Sequence, residues 1–167
     1  MDFILEIKRS TGADVRELNL GGGLPARYSS DHPLPTAEHF AKAICSAVKA
    51  GCKEHGLIKP RLMIEPGRSI VGMACVTLYT IGPVKRIPDV RNYVAIDGGL
   101  SDNPRPVMYG ATYEVLIANR PRPTPAMKTY RMVGRHCETD TMFDNIQLPP
   151  PAQGDTLAVL TTGAYNH

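Results

Sequence analysis

The spacing of apolar and polar residues divides the chain into two parts with different periodicity. In the first part, residues 2–11 and 36–54 carry apolar side chains on one helical face, which predicts two helices. Thr36 is suited to cap the second helix. Residues 17–20 and 62–64 are short strand-like runs on either side of that helix. The order of strand, glycine-rich loop, helix and strand predicts a βαβ unit with a parallel strand pair.

After Arg68 the pattern changes to short β-like runs, separated by Gly, Pro and Asn turns and lacking a helical period. The runs lie at 70–81, 92–96, 112–118, 128–133 and 156–160. We therefore predict an α/β part over 1–71, consisting of the last βα units of a TIM-type barrel, followed by an antiparallel, barrel-like β domain over 72–167. A complete barrel of this kind takes about 250 residues, so only its C-terminal part is expected here.

Composition narrows the class of protein further. The 167 residues are 43% hydrophobic, which suffices for a globular core, and the net charge of +3 involves no Lys/Arg run that would indicate nucleic-acid binding. No apolar stretch approaches the roughly 20 residues that span a bilayer, and no signal peptide is recognisable, so we expect no membrane association. The cysteines at 45, 52, 75 and 137 lack metal-ligand spacing, which favours reduced thiols in a cytoplasmic protein without a metal site.

Two stretches of the first part have the character of a binding site. Glu65-Pro66-Gly67-Arg68 directly follows a strand, at the end where barrel enzymes carry their functional residues. Arg68 suits an anion, and Glu65 suits a cationic ring nitrogen, although an ordinary strand exit with a surface ion pair is the alternative. Gly21-Gly22-Gly23 follows the other strand and leaves backbone N–H groups accessible to a phosphate, with simple loop flexibility as the alternative.

The β part adds three candidate groups. Arg105 lies between two prolines, which restrict the backbone and favour a preorganised carboxylate clamp over a solvated side chain. Cys137 lies between His136 and Glu138, so its thiol is a candidate for proton transfer, with a buried and inert cysteine as the alternative. Tyr165 follows the last strand and is a candidate to bind a phosphate or cover a ring, or else a core tyrosine.

Together these stretches resemble the fold-type III, pyridoxal-phosphate-dependent decarboxylases. The matching motifs occur in the family's order and cover nearly the whole chain: Gly21-Gly22-Gly23, Glu65-Pro66-Gly67-Arg68, Asp97-Gly98-Gly99, Asn103-Pro104-Arg105-Pro106, Cys137-Glu138 and Gly163-Ala164-Tyr165. The resemblance implies that pyridoxal 5'-phosphate is bound by Gly21, Gly22, Gly23, Glu65, Gly67, Arg68 and Tyr165. It also implies contacts to an amino-acid substrate from Arg68, Arg105, Tyr109, Glu138 and Tyr165.

The resemblance assigns roles to individual residues. Glu65 is expected to face the pyridine nitrogen and keep it protonated, so that the ring accepts the electron pair left by loss of CO2. Cys137 matches the family's proton donor, which is supplied across the interface of a homodimer. The expected substrate is meso-2,6-diaminopimelate, converted to L-lysine and CO2, because its distal carboxylate and ammonium match Arg105 and Glu138. Relatives with ornithine-type substrates have Cys followed by Asp.

Two residues of the family have no counterpart in this sequence: the Schiff-base lysine and the histidine that stacks on the cofactor. The lysines all lie outside the motif that carries the former: Lys8, Lys42, Lys49, Lys53, Lys59, Lys85 and Lys128. We therefore expect the C-terminal part of an enzyme, cut at both ends and inactive alone. The alternatives are a decarboxylase of ornithine, arginine or carboxynorspermidine, and a non-catalytic dimerisation or regulatory module.

Overall fold

A computed structural model describes residues 1–31, 33–120, 126–137 and 139–166. The chain forms two compact units. The first comprises Met1–Pro25 and Pro33–Ser69, and the second comprises Ala26–His32 and Ile70–His167. Most of the N-terminal sequence is thus in the first unit, but one short segment in its middle belongs to the second.

The first unit contains the predicted βαβ arrangement. Its elements are α1 (Asp2–Thr11), β1 (Glu17–Asn19), α2 (Ala37–Glu54) and β2 (Arg61–Met63). Helix α1 ends at Gly12, whose φ of 73° is left-handed, and the Thr36 side chain accepts a 3.1 Å hydrogen bond from the His39 N–H at the start of α2. Strands β1 and β2 pair in parallel, with Glu17 opposite Arg61. The helices and the parallel pair are therefore confirmed.

The second unit is built on a mixed six-stranded sheet. Its elements follow α3 (Arg68–Val71) and a 3-10 turn (Gly72–Ala74), and they are β3 (Thr77–Ile87), β4 (Arg91–Ile96), α4 (Arg105–Tyr109), β5 (Val115–Ile117), β6 (Lys128–Val133), β7 (Thr141–Leu148) and β8 (Thr156–Val159). The strand order is β5-β8-β3-β4-β6-β7. Neighbouring strands in this order are antiparallel except β4 and β6, which are parallel.

One face of this sheet carries the hydrophobic core. Alternate residues of β3, such as Tyr79 and Ile81, belong to one buried cluster with Val94 and Leu157 of the neighbouring strands β4 and β8 and with Met132 of β6. This alternation is the period that a half-buried strand requires. The predicted β fold of the second half of the chain is confirmed, although its strands are not all antiparallel as predicted, because β4 and β6 pair in parallel.

Three local predictions differ from the structure. The strand expected from residue 70 begins only at Thr77, because residues 68–74 are helical. There the Gly72 carbonyl accepts the N–H of Gly163, and a Cβ at Gly163 would overlap the Val71 carbonyl oxygen. This close backbone approach excludes a regular strand.

Strand β7 was not predicted, because the polar pair Asp144-Asn145 interrupts its apolar pattern. Asn145 has a φ of 56°, and the hydrogen bond from Arg131 lowers the pKa of Asp144. The polar stretch 97–109 has the glycines and prolines of a loop between strands, but its last five residues form α4. Prolines at the start of this helix fix φ near the helical value.

Candidate active site

In the first unit, the glycine loop after β1 and the carboxylate after β2 are joined by a hydrogen-bond network. The Glu65 N–H donates to the Gly21 carbonyl at 2.8 Å. The Asn19 side-chain amide donates to Glu65 Oε1 at 2.5 Å, and Asn19 Oδ1 accepts the Gly21 N–H at 2.8 Å. Asn19 therefore fixes the glycine loop and the exposed Glu65 carboxylate with respect to each other.

The glycine loop requires residues without a side chain. Gly21 and Gly23 have φ values of 71° and 98°, and a Cβ at Gly22 would lie 2.7 Å from the Glu65 carbonyl oxygen. The loop is therefore a bare-backbone cradle whose shape fits a phosphate better than a side-chain-bearing turn. Gly67 and Arg68 follow Glu65 after one intervening proline, and the half-buried Arg68 begins α3.

In the second unit, two buried or half-buried aspartates hold the predicted functional loops together. Asp140 is 5% exposed and accepts the N–H groups of Leu100 at 2.8 Å and His136 at 2.9 Å. Asp102 accepts the Gly99 N–H at 2.8 Å and lies 3.4 Å from the Arg135 guanidinium. The stretches 97–102 and 134–136 are thus joined to each other and to Asp140 by hydrogen bonds.

Arg105 begins helix α4 beside two aromatic rings. Its guanidinium carbon lies 5.4 Å from the ring centroids of both Tyr28 and Tyr109. Within the described part of the chain, no carboxylate forms an ion pair with Arg105, and its buried Nε has no hydrogen-bond partner. A half-buried cation without a counter-ion is suited to bind an external carboxylate.

The remaining candidates of the second unit lie at accessible positions. Cys137 is exposed, and the adjacent His136 ring nitrogen lies 2.9 Å from Ser101 Oγ. Tyr109 and Tyr165 are 68% and 73% exposed, so the core alternative for Tyr165 is wrong. Glu138 lies outside the described residues.

Tyr79 lies beneath the same loops but is not suited to acid–base chemistry. Burial raises the pKa of its phenol to about 12, and the Asp102 and Asp97 carboxylates act in the same direction. A Cβ at Gly98 would overlap the Tyr79 ring. The Tyr79 phenol is thus neutral and packs beneath these loops. The position of its ring requires glycine at residue 98.

The sequence did not reveal Asn19, Tyr28, Asp102 and Asp140. Asn19 lies two residues before the glycine motif, at the last position of a strand, and an amide side chain there could have indicated a contact with the glycine loop. The two aspartates sit among other polar residues, and only their burial distinguishes them.

Two further observations concern the described residues. Among them, no helix combines the length and the apolar character that crossing a bilayer requires. Likewise, the described His, Cys, Asp and Glu side chains form no group of three or more that could hold a metal ion.

A parallel βα unit whose glycine-rich loop is suited to a phosphate, followed in the sequence by a mixed β domain, indicates a two-part, cofactor-binding protein. Residues 1–72 match the family model "Pyridoxal-dependent decarboxylase, pyridoxal binding domain", and residues 70–163 match "Pyridoxal-dependent decarboxylase, C-terminal sheet domain". The chain belongs to the pyridoxal-dependent decarboxylase family. The predicted family, fold class and cofactor type are therefore confirmed.

Several similar proteins are named diaminopimelate decarboxylase. The chain is 46% identical to the diaminopimelate decarboxylase of Bacillus subtilis over 151 residues, which cover 90% of this chain and 34% of that protein. It is 41% identical to the diaminopimelate decarboxylase of Synechocystis over 157 residues, covering 93% and 33%. The diaminopimelate decarboxylase of M. jannaschii in complex with L-lysine superposes with a TM-score of 0.78 at 33% identity, covering 99% and 37%. The chain thus spans about a third of the length of these relatives.

Proposed function

We propose that the 167 residues act within a diaminopimelate decarboxylase, which converts meso-2,6-diaminopimelate to L-lysine and CO2. The observation that carries this proposal is the Arg105 guanidinium, which is half-buried and without an ion-pair partner in the described part of the chain. Diaminopimelate has a distal carboxylate to pair with it, whereas ornithine has none. The names of the relatives support the same choice.

Pyridoxal 5'-phosphate is the proposed cofactor, and the first unit contributes most of its contacts. Gly21, Gly22 and Gly23 would hold the phosphate together with Gly67, Arg68 and Tyr165. Glu65, oriented by Asn19, would accept a hydrogen bond from the protonated ring nitrogen. When bound, the cofactor supplies an electron sink for the pair released on loss of CO2. A carboxylate at this position keeps the ring nitrogen protonated, so that the ring can accept this electron pair.

The second unit is the proposed source of substrate contacts. Arg105 would bind the distal carboxylate and Glu138 the distal ammonium, while Arg68, Tyr109 and Tyr165 complete the set. The Cys137 thiol would donate a proton to the α-carbon after CO2 has left. Its exposure suits a group that serves the active site of a second subunit, so we propose a homodimer with shared sites.

The domain and compartment assignments belong to the same proposal. Residues 1–71 would contribute to the barrel and residues 72–167 to the β domain, in a cytoplasmic enzyme of amino-acid biosynthesis. Because the chain is about a third as long as its relatives, the active form is taken to be a family-length polypeptide that contains it, called the family-length enzyme below.

The test is decarboxylation by the family-length enzyme with pyridoxal phosphate, comparing meso-diaminopimelate with ornithine and arginine. Release of CO2 and L-lysine from diaminopimelate alone is the expected result. Turnover of ornithine or arginine instead would replace the substrate assignment. A folded, cofactor-loaded protein that acts on none of the three would instead support a non-catalytic module.

A further inference from the structure

Tyr28 contacts Arg105 through its ring although the two residues lie far apart in the sequence, and it belongs to the segment after the glycine loop. This segment is anchored in the second unit by its backbone. The Glu114 N–H donates to the Tyr28 carbonyl at 3.1 Å, and the Thr161 hydroxyl donates to the Arg27 carbonyl at 2.8 Å. The neighbouring Ala26 is buried. The backbone that carries the Tyr28 ring is therefore held in place at residues 26–28.

The ring itself is supported by the hydrophobic core. Tyr28 and Tyr113 meet edge-to-face, with centroids 4.9 Å apart and an interplanar angle of 78°. Tyr113 in turn contacts Phe143 at 5.8 Å, and both of these residues are buried. Such pairs hold their geometry because the edge of one ring is attracted to the face of the other. A continuous series of rings thus leads from the core to Arg105.

The contact between Tyr28 and Arg105 has a specific electrostatic character. The guanidinium carbon lies over the Tyr28 ring at 5.4 Å from its centroid, which is within the range of a cation–π interaction. Beside this contact, the buried Arg105 Nε has no hydrogen-bond partner in the described part of the chain, so this donor remains available for a carboxylate. The ring thus stabilises the cation without occupying the donors that a ligand needs.

We propose that Tyr28 is a positioning residue for substrate binding, whose ring holds the Arg105 guanidinium ready for the distal carboxylate. The inference rests on the proposed function, because it needs a substrate with that carboxylate. A preorganised arginine loses less conformational freedom on binding, so removal of the ring weakens substrate binding more than it slows the chemical step. Tyr109 also contacts Arg105, but it is mostly exposed and is not supported by core rings in this way.

The decisive experiment varies the electron density of the ring at constant size. In the family-length enzyme, Tyr28→Phe and substitutions by phenylalanines carrying one, two or three fluorine atoms are compared by steady-state kinetics with meso-diaminopimelate. Tyr28→Phe should change KM by less than about twofold, and KM should rise with each fluorine to about tenfold in total, while kcat stays within about twofold. A KM that is flat across the series overturns the proposal.

A double-mutant cycle gives an independent measurement. Tyr28→Leu should raise KM about tenfold in the native background and have almost no effect when Arg105→Ala is already present. Additive effects, or a fall in kcat and thermal stability at unchanged KM, would show a merely structural role. Tyr93→Leu is the matched control, because Tyr93 is a half-buried tyrosine of β4 without a recorded contact to Arg105.

The two proposals fail in different ways. If the unsubstituted, cofactor-loaded enzyme does not decarboxylate diaminopimelate, the proposed function is wrong and the positioning role is lost with it. If that enzyme is active and the fluorinated series is flat, only the role of Tyr28 is wrong. Because the fluorinated rings preserve packing, this outcome does not depend on whether Tyr28→Leu folds.

Discussion

The side-chain amide of Asn19 donates a 2.5 Å hydrogen bond to Glu65 Oε1, while its carbonyl oxygen accepts the N–H of Gly21. One amide at the end of β1 thereby orients both the carboxylate after β2 and the first residue of the glycine cradle. The parallel pairing of the strands makes this possible, since it brings their C-terminal ends to the same edge. Asn19 thus links the two groups proposed to bind the cofactor ring and its phosphate.

Substitution of Asn19 should weaken cofactor binding. Asn19→Leu removes the donor to Glu65 and the acceptor for Gly21, so both groups lose their mutual orientation. Because the pair is exposed, we expect a moderate effect, with the dissociation constant of pyridoxal phosphate rising about 5- to 10-fold. Fluorescence titration of the family-length apoenzyme measures this value. Asn92→Leu, which removes an amide that bonds Thr129 in the β domain, is the control and should leave it unchanged.

Cys137 should affect the chemical step rather than cofactor binding. Cys137→Ala in the family-length enzyme removes the proposed proton donor, and loss of a general acid typically costs about 100-fold or more in rate. We expect kcat for L-lysine formation to fall by that order while the affinity for pyridoxal phosphate stays within about twofold. Cys75→Ala removes another exposed thiol and should be without effect. Equal rates for wild type and Cys137→Ala would remove this thiol from the mechanism.

Much of the fold was predictable because the responsible signals are local. The Thr36 cap, the Gly12 stop and the helical period of residues 37–54 act within one or two turns, and the structure follows them. Strand β7 escaped detection because Asp144-Asn145 breaks its alternation, and its pairing with β6 stabilises it from a distance. Helix α4 depends on prolines that also suit a loop. Where long-range pairing decides the structure, a single-sequence pattern is insufficient.

The candidate site likewise contains residues that the sequence reveals and residues that it does not. The glycines at 21–23 and the Glu65 motif could be recognised as candidates, because each directly follows a strand of the predicted βαβ unit, where such enzymes carry functional residues. Tyr28 could not, since its contact with Arg105 spans nearly half of the chain and its immediate neighbours in sequence lie in a loop. Asp140 likewise gains its importance from burial, which its sequence context does not encode.

Asp140 should be essential for the stability of the second unit. Asp140→Asn replaces one carboxylate oxygen with an N–H donor facing the backbone N–H groups of Leu100 or His136, so a buried donor loses its partner. We expect the free energy of unfolding to fall by about 2–4 kcal/mol, measured as a shift of the urea midpoint. Asp89→Asn changes an exposed residue at a φ of 57°, which Asn tolerates, and should shift the midpoint little. Similar midpoints for both variants would contradict the bridging role of Asp140.

The stability of the β domain should also depend on pH through Asp155. Burial by itself opposes ionisation of this 6% exposed carboxyl, but hydrogen bonds from the Ala152 N–H, Asn119 and Arg120 outweigh it and lower the pKa below its ordinary value of 3.8. The unfolded state therefore binds a proton more readily than the folded state. The stabilisation by Asp155 is present above pH 3.8 and is lost as the pH falls through the lower folded-state value.

Urea unfolding between pH 6 and about pH 2.5 measures this dependence. Asp155→Asn should lower stability at neutral pH and make the loss below about pH 4 shallower, because the titrating group is gone. Arg120→Leu, which removes the 2.5 Å contact to Asp155 Oδ2, should bring the folded-state pKa closer to its ordinary value and flatten the same region. Arg86→Leu removes an exposed arginine that has no recorded ion pair with Asp155 and serves as the control. If the acid limb has the same steepness in all four proteins, carboxylates other than Asp155 govern acid unfolding of this domain.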